Sequence, residues 1–315
     1  MAGRRRHAGS GHYLRQRGDS RCRNRHPAAS QVPGRQSLAV QPSALPQVPA
    51  GHVQVGPGGS TAGRRSVGRR GGCQLGKVAL AVCAHPDDLE FFCGGSTIAM
   101  ARDGWDVFLA IATDGDRGAH DLAVSRESLA AQRREESRRA GQTLGLSGIV
   151  FLGKEDGELY LDPSLRSDLT RVYRKVQPDR LITFDPWRRY ELHPDHRAIG
   201  FAALDARLAA RLPLYYADQL RDGLRVCTVR EILLFNTDEP DCYVDITGTF
   251  DAKLSALAEH RSQWESIWDD TARSLRQEAE RAGRASGHVM AEAFKRIFVP
   301  MGPVSADWDL EEEGC

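Results

Sequence analysis

The first 76 residues of this chain are almost without acid: Asp19 stands alone against thirteen arginines. They also lack clustered large apolar residues, and Gly, Pro, Ser and Gln crowd the segment. Such a stretch cannot bury enough surface to offset its ordering entropy, so residues 1–76 are expected to form a disordered basic extension. An Arg-rich arm can hold nucleic acid without base specificity. Here the arginines sit among Gly and Pro, which favours a dispensable extension and disfavours a nucleic-acid partner. No apolar stretch of signal-peptide length follows Arg4-Arg5-Arg6,. No apolar run elsewhere approaches the roughly 20 residues that span a bilayer. A soluble protein with no membrane partner is expected.

Other absences narrow the chemistry. The seven cysteines, at 22, 73, 83, 93, 227, 242 and 315, show no Cys-x-x-Cys spacing. An odd number without a framework predicts free thiols in a reducing, cytoplasmic setting. No Gly-x-Gly-x-x-Gly follows the first strand-like run, which removes a dinucleotide enzyme. Internal repeats are absent as well.

What remains is concentrated after Lys77. Residues 77–315 hold thirty basic against forty-one acidic side chains, so the charge reverses there. Strand-like apolar runs at 78–84, 106–112, 148–152, 180–184 and 231–235 alternate with helical stretches at about 94–104, 125–144, 164–176 and 195–211,. Near-continuous apolar strands suit a sheet covered on both faces. The alternation predicts an α/β fold: a Rossmann-like three-layer sandwich with a mostly parallel sheet. Residues 250–298 read as one or two amphipathic helices, with Leu254, Leu257, Trp264, Ile267 and Trp268 as an apolar stripe. The domains expected are therefore the extension 1–76, a catalytic domain 77–300 and an acidic tail 301–315.

Two His/Asp clusters carry the chemistry. Ala84-His85-Pro86-Asp87-Asp88 follows the first strand, and His193-Pro194-Asp195-His196 follows the fourth after a short loop. Parallel strands deliver such loops to one crevice at their carboxyl ends. His85, Asp88 and His196 can then serve as three metal ligands with a position left open, the pattern of catalytic zinc. Bound zinc would make hydroxide available near neutral pH. Asp87 is the candidate general base, His193 the oxyanion stabiliser or acid, and Asp195 the partner that orients an imidazole. Two histidines and one carboxylate also suit iron(II) and other divalent transition metals. In the loop before the second cluster, Trp187, Arg188, Arg189 and Tyr190 can stack on a sugar ring and bind an anionic group.

From about residue 77 to 300 the chain resembles the PIG-L/LmbE-like zinc-dependent de-N-acetylases. The resemblance rests on both clusters together with Gly94-Gly95-Ser96, Thr113-Asp114-Gly115, Arg133-x-x-Glu136 and Asp156-Gly157. It implies the same ligands and base, and places Arg133 and Asp156 at positions that contact the sugar. It further implies a small N-acetylated amino sugar or conjugate as the partner, cleaved to amine and acetate. Two positions depart from the family: Leu89 stands where Glu often follows the paired aspartates, and Glu191 stands where some members carry tyrosine. An amidase of a larger thiol-sugar conjugate or acylated natural product, and non-catalytic binding through the basic arm, stay open as alternatives. So does a homo-oligomer.

Overall fold

The computed structural model describes residues 77–300. The expectations for 1–76 and 301–315 lie outside the described residues. Seven strands are present there: β1 (Val78–Cys83), β2 (Asp106–Thr113), β3 (Gly148–Lys154), β4 (Arg180–Phe184), β5 (Glu231–Phe235), β6 (Cys242–Asp245) and β7 (Ala291–Phe298). The first helices are α1 (Asp88–Arg102), α2 (Arg126–Leu144), α3 (Pro163–Val176) and α4 (Pro194–Arg211). They are followed by α5 (Ala217–Arg221), α6 (Phe250–Leu257), α7 (Arg261–Trp264) and α8 (Trp268–Ser286).

The sheet order is β3-β2-β1-β4-β5-β7-β6. The first five strands are mutually parallel, while β7 runs antiparallel to both β5 and β6. The core of β1 is buried on both faces, as its run Val-Ala-Leu-Ala-Val-Cys requires,. α3 and α4 pack together on one side, while α1 and α2 pack with α6 on the other. This is the three-layer α/β arrangement expected. One correction falls at the end: residues 291–298 form a strand and not the close of a helix. This strand lies between β5 and β6 and pairs with both.

The strand order reverses between β1 and β4, and ligand crevices open at such a reversal,. The chain leaves β1 through Ala84-His85-Pro86 and enters α1 with Asp87 at φ 95°, a left-handed conformation. α1 then breaks at Cys93 (φ −145°, ψ 26°). Past the break, the Glu292 carboxylate of β7 accepts from the Gly95 and Ser96 amides at 3.1 and 2.7 Å. A carboxylate at freshly exposed amides is the usual answer to orphan donors at a helix start. Lys253 pairs with Glu292 at 2.5 Å, so no lone charge is buried,.

Cys83, Cys93 and Cys227 are free and buried, as expected. Cys242 is disulfide-bonded, which corrects the expectation for that residue.

Candidate active site

Asp88 and Asp87 leave the β1 turn in different directions. The Oδ2 atom of Asp88 folds back and accepts from the Ala84 and His85 amides at 3.0 and 2.8 Å. It also lies 3.6 Å from His85 Nδ1, while its Oδ1 lies 3.5 Å from His196 Nε2. Hydrogen bonds to the two imidazoles outweigh burial and hold the Asp88 carboxyl well below its ordinary range.

The His85 ring is held at its far nitrogen. Nε2 lies 3.1 Å from Asp195 Oδ2 and 3.2 Å from Asp156 Oδ1. Ionised carboxylates only accept, so Nε2 carries a proton, while Nδ1 is the ring nitrogen on the Asp88 side,. Burial works against the imidazolium, yet bonds to Asp156, Asp195 and Asp88 raise its pKa well above the ordinary value. Asp195 is itself fixed by the Gly157 and Leu159 amides at 2.8 and 3.1 Å. Asp156 accepts from the Arg117 amide at 2.9 Å. Despite burial, His85 and that amide lower the Asp156 carboxyl to about 2.

The donor set fits a divalent metal. With ligand bonds of roughly 2.0–2.1 Å, tetrahedral neighbours lie about 3.3 Å apart, near the 3.5 Å between Asp88 Oδ1 and His196 Nε2. The carboxylate behind His85 is the outer partner that ligating histidines ordinarily have. Among the described residues, two other trios bring one donor atom each within 4.8 Å: His85 with His193 and His196, and His85 with Asp156 and Asp195. The second trio competes for the Nε2 proton, so it acts as a hydrogen-bonded clasp and not as a cation site. Asp88 is missing from both sets, yet it turns Oδ2 toward His85 Nδ1 and Oδ1 toward His196 Nε2.

Asp87 faces away from this trio. Its Oδ2 accepts from Trp264 Nε1 at 3.0 Å and lies 3.3 Å from Arg133 Nη2. Burial outweighs the Arg133 and His260 charges and raises the Asp87 carboxyl. Arg133 is buried and donates to Gly115 O (2.8 Å) and Pro86 O (2.7 Å). Glu136, one turn on, accepts from Ser262 N and Oγ at 3.0 and 2.6 Å. That explains the Arg133-x-x-Glu136 spacing: one residue braces the β1 turn, the other anchors the segment carrying Trp264.

His193 caps α4, its Nδ1 accepting from the Asp195 amide at 3.3 Å. Its ring lies 4.6 Å from His85 and 4.4 Å from His196, centroid to centroid. Burial and the two neighbouring imidazoles lower its pKa. A neutral ring accepting at Nδ1 carries its proton on Nε2. A cleft of about 310 Å³ opens here, lined by Asp87, Asp88, Arg133, Asp156 and the three histidines.

Three expected site residues, Asp195, Arg188 and Tyr190, fall outside that lining, Asp195 lying behind His85. Arg188 is bound by Glu191 (3.2 Å), Asn236 and Asp238 (3.6 Å), and borders a neighbouring cavity. Tyr190 is 84 % exposed, with φ 62°. Sequence reasoning missed Phe91, Phe92 and Gln263 in the cleft and placed Trp264 on an apolar stripe. For Trp264 no local signal was present, because its contact with Asp87 spans 177 positions.

An α/β sheet with imidazoles and carboxylates converging at its strand reversal defines a Rossmann-like protein with a His/Asp cleft. Residues 80–207 match the family described as PIG-L, GlcNAc-PI de-N-acetylase. A diacetylchitobiose deacetylase of Thermococcus kodakarensis is 36 % identical over 71 % of this chain and 84 % of its own. A probable N-acetyl-alpha-D-glucosaminyl L-malate deacetylase 2 of Bacillus cereus is 32 % identical over 61 % and 86 %. Among solved structures, the N,N'-diacetylchitobiose deacetylase of Pyrococcus horikoshii in complex with its inhibitor superposes with a TM-score of 0.68. It is 36 % identical and covers 70 % of this chain and 84 % of its own. The chain belongs to the PIG-L/LmbE-like de-N-acetylase family. Among the described residues, no helix is long and apolar enough to cross a membrane.

Proposed function

We propose that this protein hydrolyses the N-acetyl group of an amino sugar or amino-sugar conjugate. His85 through Nδ1, Asp88 through Oδ1 and His196 through Nε2 would hold one divalent metal ion, zinc before iron(II). The supporting observation is the Asp88 carboxylate, 3.6 and 3.5 Å from the two imidazoles, with Asp87 in the same turn. Such an ion, when bound, polarises an amide carbonyl and supplies hydroxide near neutral pH.

The chain's own groups do the rest. Asp87 takes the proton of the attacking water and returns it to the departing nitrogen. Trp264 and Arg133 hold its Oδ2 at the border of the cleft. His193, protonated at Nε2, donates to the oxygen that gains charge as the carbonyl becomes tetrahedral. Asp195 and Asp156 fix the His85 tautomer. Arg133 and Asp156 form the wall against the sugar, and Arg188 and Tyr190 stand further out as substrate contacts, Arg188 on the side of the neighbouring cavity. The relatives' names, deacetylases of chitobiose and of a glucosaminyl malate, support this substrate class.

The test is release of free amine from a panel of N-acetylated sugars and conjugates, with added zinc and after chelation. Amine release that needs a divalent metal is expected. Activity untouched by chelators, in protein free of stoichiometric metal, refutes the reading.

A further inference from the structure

A second cavity, of about 790 Å³, lies against the first and shares Phe91, Phe92 and His196 with it. Its size is at the upper end of the roughly 300–1,000 Å³ of pockets that bury a drug-sized ligand, far beyond a two-carbon acetyl group. It lies beside α8 and β7, whose Ala279, Ala282, Ala291 and Ala293 stand in its wall. Five of its polar groups are engaged with one another, while Thr237, Asp238 and Tyr243 also stand in its lining. Asn236 donates to Glu191 at 2.8 Å, Arg188 pairs with Glu191, and Lys253 pairs with Glu292. Ser274, Glu278 and Arg281, also in its lining, are solvent-exposed. The open polar groups thus stand at the rim, and an alkyl chain lying deeper, along the alanines and the paired groups, needs no open donor or acceptor.

The direction of entry agrees. Asp87, Arg133 and Trp264 border only the first cavity. The nitrogen that receives the proton from Asp87 leaves on that side. The substituent on the carbonyl carbon then extends to the other side, toward Phe92 and His196, where the second cavity begins.

We propose that the second cavity is an acyl-chain subsite, so that the enzyme cleaves amino sugars bearing N-acyl groups longer than acetyl. The proposal rests on the amide-hydrolase reading above. Amide cleavage by water then releases the free amine and a longer carboxylic acid in place of acetate.

The experiment compares kcat/KM of the metal-loaded protein for N-acetyl-, N-butyryl- and N-hexanoyl-glucosamine and for a di-N-acetylated disaccharide. Each buried methylene can contribute roughly fourfold, so hexanoyl is expected to exceed acetyl by tenfold or more. In Ala282→Trp the wall is filled, and the hexanoyl-to-acetyl ratio is expected to fall to one or below. Because the ratio is read within one preparation, partial misfolding does not alter it. A wild-type ratio at or below one overturns the subsite while leaving deacetylation standing. So does an Ala282→Trp ratio equal to that of the wild type, or a gain confined to the disaccharide. No cleavage of any of the four amides overturns the hydrolase reading, and the subsite with it.

Discussion

Asp195→Asn separates metal orientation from packing, because the wild-type carboxylate is wholly buried and makes three bonds. Oδ2 takes the Gly157 amide at 2.8 Å and His85 Nε2 at 3.1 Å, while Oδ1 takes the Leu159 amide at 3.1 Å. Asparagine offers one oxygen and one NH2 group. With the oxygen in the Oδ2 place, only the Leu159 bond is lost; the reverse orientation loses two. The first is therefore adopted, leaving one buried amide unpaired at about 1–3 kcal/mol. For a folded part of this size that lowers Tm by roughly 2–12 °C. The His85 bond survives but becomes neutral, so the imidazole is a poorer donor at Nδ1. Losing the charge of such an outer partner weakens metal binding by about 10–100-fold. Competition titration against a chromophoric chelator reads that affinity, and a thermal melt of metal-free protein reads the packing cost. If the melt falls but the metal Kd stays within twofold of wild type, Asp195 does not orient a ligand, and the His85 tautomer argument is wrong.

Three further outcomes follow from the same geometry. Asp87→Asn should cut amine release by roughly 10²–10⁴-fold with metal content retained, whereas His85→Ala or His196→Ala should lose the metal as measured by elemental analysis. Gly115→Ala places a methyl group on the Arg133 guanidinium at a backbone φ of +60°, so denaturant melts should show a loss of about 1–3 kcal/mol. Burial raises the thiols of Cys83 and Cys93 well above the ordinary value and that of Cys227 to about 12. A raised thiol pKa keeps the group protonated, so at pH 8.5, near the ordinary thiol value, all three should resist iodoacetamide in folded protein. Rapid alkylation of any of them, read by mass spectrometry, would contradict its burial.

Much of this site was visible in the sequence, for physical reasons that also mark the boundary of such reading. β1 through β5 announce themselves because both faces are covered, so apolar runs are continuous. His85, Asp88 and His196 are legible because parallel strands send their following loops to the same edge. The residues that hold Asp87 were not legible. Trp264 looked like one member of an apolar stripe, and Arg133 like a helix residue, until α7 was packed on α2 through Glu136 and Ser262. The end of the sheet was hidden too. β7 contains Glu292, Lys295 and Arg296, and the pairing of Glu292 with Lys253, together with the Gly95 and Ser96 amides, makes its buried carboxylate compatible with an interior strand.

That pairing bears on how two adjacent aspartates come to face opposite ways. Asp87 at φ 95° costs of order 1–3 kcal/mol for a residue with a side chain, and the break at Cys93 exposes amides a continuous helix would have used. Glu292 satisfies two of them, at Gly95 and Ser96. A Cβ at Gly95 would stand 2.7 Å from Ile246 Cγ2, and one at Gly94 3.2 Å from Lys253 Cγ, so larger residues would push α1 off this anchor. Gly94-Gly95-Ser96 is thus not a phosphate loop. Its small residues let the second half of α1 dock against Ile246, Lys253 and Glu292. The distorted first turn is then held from behind, with Asp88 toward the imidazoles and Asp87 toward Trp264.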